Sequence, residues 1–409
     1  MNTQTTHTNS NVIASQAKQS HLIPQLRFAE FEGEWKSTHI GNVLTIGSGK
    51  DYKHLKEGDI PVYGTGGFMA YVDDYLYEGE SVCIGRKGTI DNPIYLNEKF
   101  WTVDTLFYTH KFNNCLPKFI FPIFQRINWY KYNEASGVPS LSKKTIDSIK
   151  INLPTLPEQQ KIASFLTAVD TKLQQLTKKK ELLQQYKKGV MQKLFSQQLR
   201  FKPVLSGVEG QQDGSNYPDW EEKKLKDVLY EHKTKNNDGS VTEVFSVAKE
   251  KGVINQIEHL GRSYAADSTL HYKVAFPGDL IYTKSPTKDF PFGIIKQNLT
   301  GRKGLVSPLY VVTRPETNSL GFMFHCYFLS WVNVYNYLVP LVQKGAKNTM
   351  NINNDDFLNG AKFILPVSKE EQQQIASYLS ALDTKIETAT QQIETTQQFK
   401  KGLLQQMFV

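Results

Sequence analysis

Three short stretches carry residue types that could do chemistry. Residues 92–95 (NPIY) are close to the Asn-Pro-Pro-Tyr sequence that holds an extruded adenine in amino-methyltransferases, but the third position is isoleucine and no glycine-rich cofactor loop precedes it. Residues 46–51 (IGSGKD) resemble half of a phosphate-binding loop, without its leading glycine and with aspartate in place of Ser or Thr. Asp219, Glu222 and Lys224 resemble a nuclease carboxylate–lysine set, but they lie too close together for its two-strand geometry. We interpret the first two stretches as turns and predict no catalytic site in this chain.

Cysteine and histidine spacing argues against a metal site and against a disulfide framework. Cys83, Cys115 and Cys326 lie far apart with no histidine at ligand spacing, and the nine histidines form no HExxH motif. A chain of 409 residues with 39% apolar and 12% aromatic residues is typical of a globular protein with two or three domains. We expect a cytoplasmic protein. No signal-peptide pattern is found, and the polar residues within the apolar stretch 322–342 favour a buried core helix over a membrane span.

The formal net charge of +8 favours a polyanionic partner. Most of the excess lies in residues 156–200, where nine Lys and Arg stand against three Asp and Glu. The run Lys178–Lys180 could face DNA phosphates, but a solvated helix face is the preferred interpretation. Charge alone therefore makes nucleic acid a candidate partner without establishing it.

The strongest pattern is an internal repeat. EQQKIASFLTAVDTK at residues 158–172 returns as EQQQIASYLSALDTK at residues 371–385, with 11 of 15 positions identical. QLRF stands at residues 25–28 and again at 198–201, and a tryptophan follows each copy. A Leu-Pro pair precedes each repeated segment. The repeat therefore extends over both halves of the chain.

The repeat divides the chain into matching parts. Each half has an entry motif, a variable body and a helix, and each body has an apolar strand, a polar loop, another apolar strand and an aromatic helical stretch. We predict two α/β (α+β) bodies of one fold in a pseudo-twofold tandem repeat. The predicted parts are a disordered N-terminal extension (1–24), a first body (25–155), a central helix (156–200), a linker (201–217), a second body (218–368) and a C-terminal helix (369–409).

Heptad spacing predicts that each repeated segment begins one long helix. Ile162, Val169 and Leu176 recur every seven residues in the first copy, as Ile375 and Leu382 do in the second. No proline interrupts either segment after its first turn, so each helix can reach about 40 residues, roughly 60 Å.

Chain order then predicts the topology. The first helix leads from the first body to the second, and it is the available partner of matching length for the second helix. We predict that the two helices pair antiparallel as a coiled coil, which returns the second helix to the first body. The apolar seam thins at Lys180, Lys187, Thr396 and Lys400, so we do not expect a deep core along the whole pair.

The chain resembles the specificity subunit of type I restriction-modification systems. The resemblance rests on the order body, LPxLPEQQKIAxxLxxxD helix, second body and second such helix, with KKG near each helix end at residues 187–189 and 400–402. It covers nearly all of residues 26–409 and is firmest in the repeated helix. The N-terminal extension and the long linker differ from the family. The resemblance implies a non-catalytic subunit whose two target-recognition bodies each read one half of a split DNA target, while the paired helices set the spacer.

The resemblance also implies partners and cofactors. In that family the repeated regions dock two adenine-N6 methyltransferase subunits, and a translocating nuclease subunit joins them to restrict unmethylated DNA. The implied partners are double-stranded DNA, two methyltransferase subunits and, where they exist, two restriction subunits, with no membrane. S-adenosylmethionine would lie on the methyltransferase, and ATP and Mg²⁺ on the restriction subunit, so this chain would bind no cofactor itself.

The candidate DNA-reading residues are polar side chains on predicted loops. Arg and Lys suit guanine edges, Asn and Gln suit adenine, and all can bind phosphate. GRKGT in the first body and TKSPT in the second follow strands at corresponding places, whereas a second GRKG at residues 301–304 does not align with the first. The first-body candidates are Lys50, Lys53, Thr65, Arg86, Lys87, Ser136, Ser140 and Lys143. The second-body candidates are Lys233, Lys235, Lys284, Ser285, Lys288, Arg302, Lys303, Lys347 and Asn348.

The repeated helix positions are candidates for partner docking. Glutamate in the first turn opposes the helix dipole, and the apolar positions fill the seam, so both have a structural explanation. The repeated Gln, Ser and Asp positions beside the seam favour a partner that docks twice. The candidate docking and helix-frame residues are Glu158, Gln159, Gln160, Ile162, Leu166, Asp170, Glu371, Gln372, Gln373, Ile375, Leu379 and Asp383.

Two other classes of function stay open. A stand-alone DNA-modifying enzyme would act on DNA without a partner, so the purified chain would show activity. A two-headed adaptor would bind proteins through both bodies, so sequence-selective DNA binding would be absent.

Overall fold

The structure, a computed structural model, describes residues 22–203, 216–285, 287, 289–344 and 350–409. The chain divides into two compact units: unit 1 is Met1–Thr177 with Gln391–Val409, and unit 2 is Lys178–Thr390. Each unit therefore contains one body and one end of each long helix. Most of the predicted N-terminal extension and linker lies outside the described residues.

From residue 22 on, the described part of the first half contains eight strands and ends in a long helix. Its elements are β1 (Lys36–His39), α1 (Ile40–Val43), β2 (Thr45–Ser48), β3 (Ile60–Gly64), β4 (Gly67–Val72), β5 (Tyr77–Gly85), β6 (Ile94–Thr102), β7 (Leu106–His110), α2 (Pro117–Arg126), a 3-10 turn (Trp129–Tyr132), α3 (Lys143–Asp147), β8 (Lys150–Leu153) and α4 (Leu156–Phe195). The NPIY stretch lies in the β5–β6 connection and at the start of β6, as the turn interpretation predicts.

The second half repeats this order with added pieces. Its elements are β9 (Glu221–Lys223), α5 (Leu225–Val228), β10 (Leu229–Glu231), β11 (Phe245–Ala248), β12 (Gly252–Asn255), α6 (Gln256–Leu260), β13 (Lys273–Ala275), β14 (Leu280–Thr283), β15 (Ile294–Gln297), β16 (Gly304–Val306), β17 (Val311–Pro315), α7 (Asn318–Tyr327), α8 (Trp331–Leu338), a 3-10 turn (Val339–Leu341), β18 (Gln343–Lys344), β19 (Met350–Asn351), α9 (Asn354–Asn359), β20 (Phe363–Leu365) and α10 (Lys369–Gln406).

The two bodies share a sheet arrangement. Unit 1 has a six-stranded sheet in the order β2-β7-β5-β6-β3-β4, and unit 2 has a four-stranded sheet in the order β10-β17-β14-β15. In each sheet the second strand is antiparallel to both neighbours. A two-stranded antiparallel ribbon, β1-β8 or β9-β20, joins the start of each body to its end. The prediction of two mixed α/β bodies with one outline is therefore confirmed.

Each unit has a core in which the body packs against both long helices. In unit 1, Trp35 and Phe119 pack with Phe408 at the end of α10, with the Phe119 and Phe408 rings stacked at 5.2 Å. In unit 2, Leu194 of α4 and Ile375 of α10 are both fully enclosed in the core. The start of one long helix thus lies with the end of the other in each unit, which is the antiparallel arrangement that chain order predicts.

The two repeated segments form helices of 40 and 38 residues, as the heptad pattern predicts. Ion pairs occupy two of the positions where the predicted seam thins. In unit 1, Lys400 Nζ lies 2.6 Å from Asp170 Oδ1, and in unit 2, Lys187 Nζ lies 2.5 Å from Asp383 Oδ1. Both aspartates belong to the repeated segment and both lysines to KKG, so the two pairs are equivalents in the repeat.

The apolar stretch 322–342 corrects one expectation. It is not one buried helix but two, α7 and α8, followed by a 3-10 turn, because the Ser330 hydroxyl accepts from the Asn333 amide and starts a new helix. Among the described residues, no helix has both the length and the apolar character that crossing a membrane requires.

Candidate nucleic-acid interface

One edge of the unit 1 sheet, at the carboxyl ends of β2 and β5, brings several candidate residues together. Because β2 and β5 are both antiparallel to β7, both end where β7 begins. Arg86 directly follows β5, and its backbone N–H donates to Thr105 O at 2.7 Å. Its guanidinium donates to Asp104 O at 3.4 Å. The sheet topology therefore fixes the place of the GRKGT loop.

A cleft of about 810 Å³ lies at this edge. The segment 133–141 forms one wall, and the Asn133 side chain holds it by accepting from the Ala135 and Ser140 amides at 3.1 and 2.8 Å. The Leu141 amide donates to Arg86 O at 2.8 Å, which joins this wall to the GRKGT loop. Four predicted residues line the cleft: Arg86, Lys87, Ser140 and Lys143.

The other unit 1 candidates lie around the cleft or on nearby loops. Lys50 follows β2 and is held by the Trp101 indole, which donates to Lys50 O at 2.9 Å. Thr65 lies beside the GRKGT loop, since a Cβ at Gly88 would stand 3.9 Å from its hydroxyl. Lys53 and Ser136 are exposed on loops. No contact with DNA follows from position alone, so these assignments stay predictions.

Two carboxylates in the cleft are not among the residues predicted from the sequence, which are cations, amides and hydroxyls. Asp104 and Glu134 both line it. The Glu134 carboxylate accepts from the Ser142 hydroxyl at 2.7 Å and from the Thr145 hydroxyl, and these bonds lower its pKa. An ionised acceptor can receive a hydrogen bond from the amino group of cytosine or adenine. Carboxylates are common on loops, so no sequence signal distinguished these two.

The corresponding edge of unit 2 is also cationic. Lys284 follows β14, as Arg86 follows β5, so the structure puts TKSPT where GRKGT stands. The Lys284 amine donates to Asn354 Oδ1 at 2.9 Å, and Asn354 donates to Glu231 Oε1 at 2.6 Å. Lys233 is exposed just after β10. Burial lowers the pKa of Lys284 and of Lys273, a nearby lysine that the sequence argument missed.

The remaining unit 2 candidates are less favourably placed. Arg302 donates to Glu258 through two bonds of 2.9 and 2.8 Å and lies 3.0 Å from Glu243, so its charge is already compensated. These surface ion pairs would have to open for Arg302 to contact DNA, and its assignment stays a prediction. Lys235, Ser285 and Lys303 are exposed. The predicted residues Lys288, Lys347 and Asn348 lie outside the described residues.

The repeated glutamates have an internal partner. In unit 1, Arg27 of QLRF donates to both Glu158 oxygens at 2.8 and 2.7 Å, and the Trp35 indole donates to Glu158 Oε1 at 3.2 Å. In unit 2, Arg200 of the second QLRF donates to both Glu371 oxygens at 3.0 and 2.9 Å. In both units, therefore, the arginine of QLRF and the glutamate of EQQ bind each other, so the two repeated motifs form one contact.

The first repeated glutamines anchor the aromatic helix of each body. Gln159 accepts from the Leu116 amide at the start of α2, at 3.0 Å, and donates to Pro154 O at 2.9 Å. Gln372 accepts from the Thr317 hydroxyl at the start of α7, at 2.6 Å, and donates to Pro366 O at 2.9 Å.

These contacts correct part of the docking prediction. Glu158, Gln159, Glu371 and Gln372 are at most 5% exposed, so a partner protein cannot reach them. Their repetition is explained by the attachment of each body to its helix. The predicted seam residues Ile162, Leu166, Ile375 and Leu379 are likewise buried. Gln160, Gln373, Asp170 and Asp383 keep exposed or half-exposed side chains and remain candidates for docking.

Comparison with known proteins identifies the family. Residues 32–185 and 305–397, together more than half of the chain, match the family model described as type I restriction modification DNA specificity domain. The chain belongs to this family.

Individual relatives agree with that assignment. The chain is 30% identical over 162 residues to the type I restriction enzyme MjaVIII specificity subunit of Methanocaldococcus jannaschii, covering 38% of this chain and 34% of that protein. It is 23% identical over 163 residues to the type I restriction enzyme EcoprrI specificity subunit of Escherichia coli, covering 37% of this chain and 40% of that protein. The matches thus span about a third to two fifths of these relatives.

A solved structure supports the fold. The S subunit of a type I restriction-modification system from M. genitalium superposes with a TM-score of 0.62 at 11% identity, covering 95% of this chain and 99% of that one. At this identity the likeness concerns the fold alone.

Proposed function

We propose that this chain is the DNA-recognition subunit of a type I restriction-modification complex, with each body reading one half of a bipartite target. The observation that carries the proposal is the equivalent sheet edge of the two units. Both edges present a cation after the corresponding strand, Arg86 or Lys284, yet they differ in the polar side chains around it. Two bodies that share a fold but differ in their contact residues suit a DNA target with two unlike halves.

The chemistry of each edge fits base and phosphate contacts. Arg86 can donate two bonds to a guanine edge, and the carboxylates of the unit 1 cleft can accept from an exocyclic amino group. Lys87, Lys143 and Lys233 are exposed and can bind phosphates at either side. The +6 segment 156–200 adds a favourable field for DNA.

In this proposal the chain catalyses nothing and binds no cofactor. Two adenine-N6 methyltransferase subunits dock on exposed positions of the repeated helices, such as Gln160 and Gln373, and carry S-adenosylmethionine. Restriction subunits, with ATP and Mg²⁺, join through them in the cytoplasm. The paired helices set the unread spacer between the half-sites.

The test is to co-express the chain with an adenine-N6 methyltransferase subunit and to map N6-methyladenine across the host genome. We expect one split motif with a fixed gap. A continuous motif, or no methylation in any such pairing, would contradict the proposal.

The alternatives have their own outcomes. Methyl transfer or cleavage by the purified chain alone would favour a stand-alone enzyme. Absence of selective DNA binding, even with the methyltransferase subunit present, would favour a two-headed protein adaptor.

A further inference from the structure

We propose that the β3–β4 hairpin of unit 1 contacts DNA with an apolar tip, Phe68 and Met69, that enters the groove and packs against a base step beside the half-site. This inference rests on the proposed function and adds to it a non-ionic contact that no cation or amide supplies. The tip is defined here as Phe68 and Met69, with Tyr71 behind them on the same strand.

The tip, with Tyr71 behind it, carries three large side chains that are more than half exposed. Phe68, Met69 and Tyr71 are 52%, 52% and 55% exposed. They share β4, the terminal strand of the unit 1 sheet. An exposed cluster of large apolar side chains on a folded domain is typical of an interaction site.

The tip is also held in place. The Phe68 ring packs 4.8 Å from the Tyr71 ring and 6.4 Å from the Tyr63 ring. The Tyr63 hydroxyl donates to Glu98 Oε1 at 2.8 Å, which fixes that ring. A Cβ at Gly66, in the turn, would meet nothing within 4 Å. The aromatic cluster therefore packs on Tyr63 on one side and is open to solvent on the other.

The occupant follows from the neighbouring charges. Thr65, in the same turn, lies beside Gly88, so the turn adjoins the GRKGT loop that carries Arg86 and Lys87. One carboxylate, Glu98, is bonded to Tyr63 on the supporting side of the cluster. Val103 packs against both Gly64 and Gly49, which brings Lys50 to the same region. Cations beside an apolar contact favour a polyanionic partner over an uncharged apolar surface. Proteins that unstack and kink a duplex combine inserted apolar side chains with cations that contact the DNA.

The contact makes two quantitative predictions. Removing an aromatic–base contact weakens binding by about 5- to 150-fold. Because no ion pair is involved, the salt dependence of binding stays unchanged, whereas loss of a phosphate-binding lysine reduces the logarithmic slope by about 1.

The experiment uses the full chain with its methyltransferase partner and a duplex of the mapped target carrying 2-aminopurine at successive positions of the unit 1 half-site. We compare wild type, Phe68→Ala, Met69→Ala and Phe68→Tyr, with Tyr130→Ala as the control, since Tyr130 is equally exposed at 53%. Thermal melting checks that each variant folds.

We expect wild type to raise 2-aminopurine fluorescence at one step. Phe68→Ala should lose both this signal and affinity at constant salt slope, and Phe68→Tyr should keep both. Wild-type affinity in Phe68→Ala, or an equal loss in Tyr130→Ala, would overturn the inference. If wild type selects no target at all, the proposed function fails instead, so the two failures are distinguishable.

Discussion

Replacement of Glu158 by glutamine tests why the repeat is retained. The substitution keeps the shape of the side chain but removes the charge that two bonds from Arg27 and one from Trp35 use. Arg27 is only 13% exposed, so its guanidinium would be left largely buried with Glu32 as its remaining nearby carboxylate. Breaking a buried ion pair from one side costs about 3 to 5 kcal/mol, and we expect about 3 here because Arg27 reaches some water.

The equivalent change in unit 2 should cost less. Arg200 is 24% exposed, and Asp219 lies 3.7 Å from it as a second carboxylate. The Trp220 indole has no hydrogen-bond partner among the described residues, so replacing Glu371 removes no hydrogen bond from it. We expect Glu371→Gln to cost about 2 kcal/mol.

Hydrogen exchange in increasing urea measures the two units separately, which is needed because a chain with two units need not unfold in one step. Glu158→Gln should lower protection in α2 and at the start of α4. The double variant Arg27→Met/Glu158→Gln should cost less than the sum of the two single variants, because it removes the unpaired charge. A loss below about 1 kcal/mol for Glu158→Gln, or additive single effects, would refute the account of the buried pair.

Three further predictions concern other contacts. Lys284→Gln should weaken DNA binding and reduce the salt slope by about 1, whereas Lys362→Gln, whose amine is held by a surface glutamate, should change neither; equal slopes in filter-binding titrations would contradict this. Burial lowers the pKa of His325 to about 3, with nearby lysines adding to the effect, and its Nδ1 accepts from a backbone N–H. The unfolded state therefore takes up the proton first as pH falls, and unit 2 should lose about 2 kcal/mol between pH 7 and pH 5, a loss that His325→Asn should abolish in exchange measurements. Reversing one member of the Lys187–Asp383 pair, as in Lys187→Asp, should cost about 3 kcal/mol because the Lys187 side chain is only 10% exposed, and the exchanged pair Lys187→Asp/Asp383→Lys should recover part of it; no recovery in urea midpoints would argue against a specific pair.

The sequence predicted the parts of the fold that depend on periodicity and repetition. Heptad spacing and the absence of proline were enough for α4 and α10, and chain order was enough for their antiparallel arrangement. The alignment of GRKGT with TKSPT predicts that Arg86 and Lys284 stand at corresponding strand ends, and they directly follow β5 and β14. These features are local in sequence or repeated in it.

The partners of individual side chains could not be predicted in the same way. The repetition of Gln159 favours surface docking by sequence, because nothing in the repeated segment shows that the start of α2 encloses this side chain. Arg302 was chosen by residue type, but Glu258 neutralises it from 44 residues away. Such contacts depend on which loops meet in the folded protein, and the spacing of residues in a single sequence does not indicate which loops these are.

The most direct test of the central claim is methylation mapping with one altered edge. The wild-type chain and the variant Arg86→Ala/Lys87→Ala are each co-expressed with the methyltransferase subunit, and N6-methyladenine is mapped. The account predicts a split motif in which the variant relaxes or loses bases in one half only, while the other half and the gap stay the same. Changes in both halves, or a continuous motif in the wild type, would contradict the claim that each body reads its own half-site.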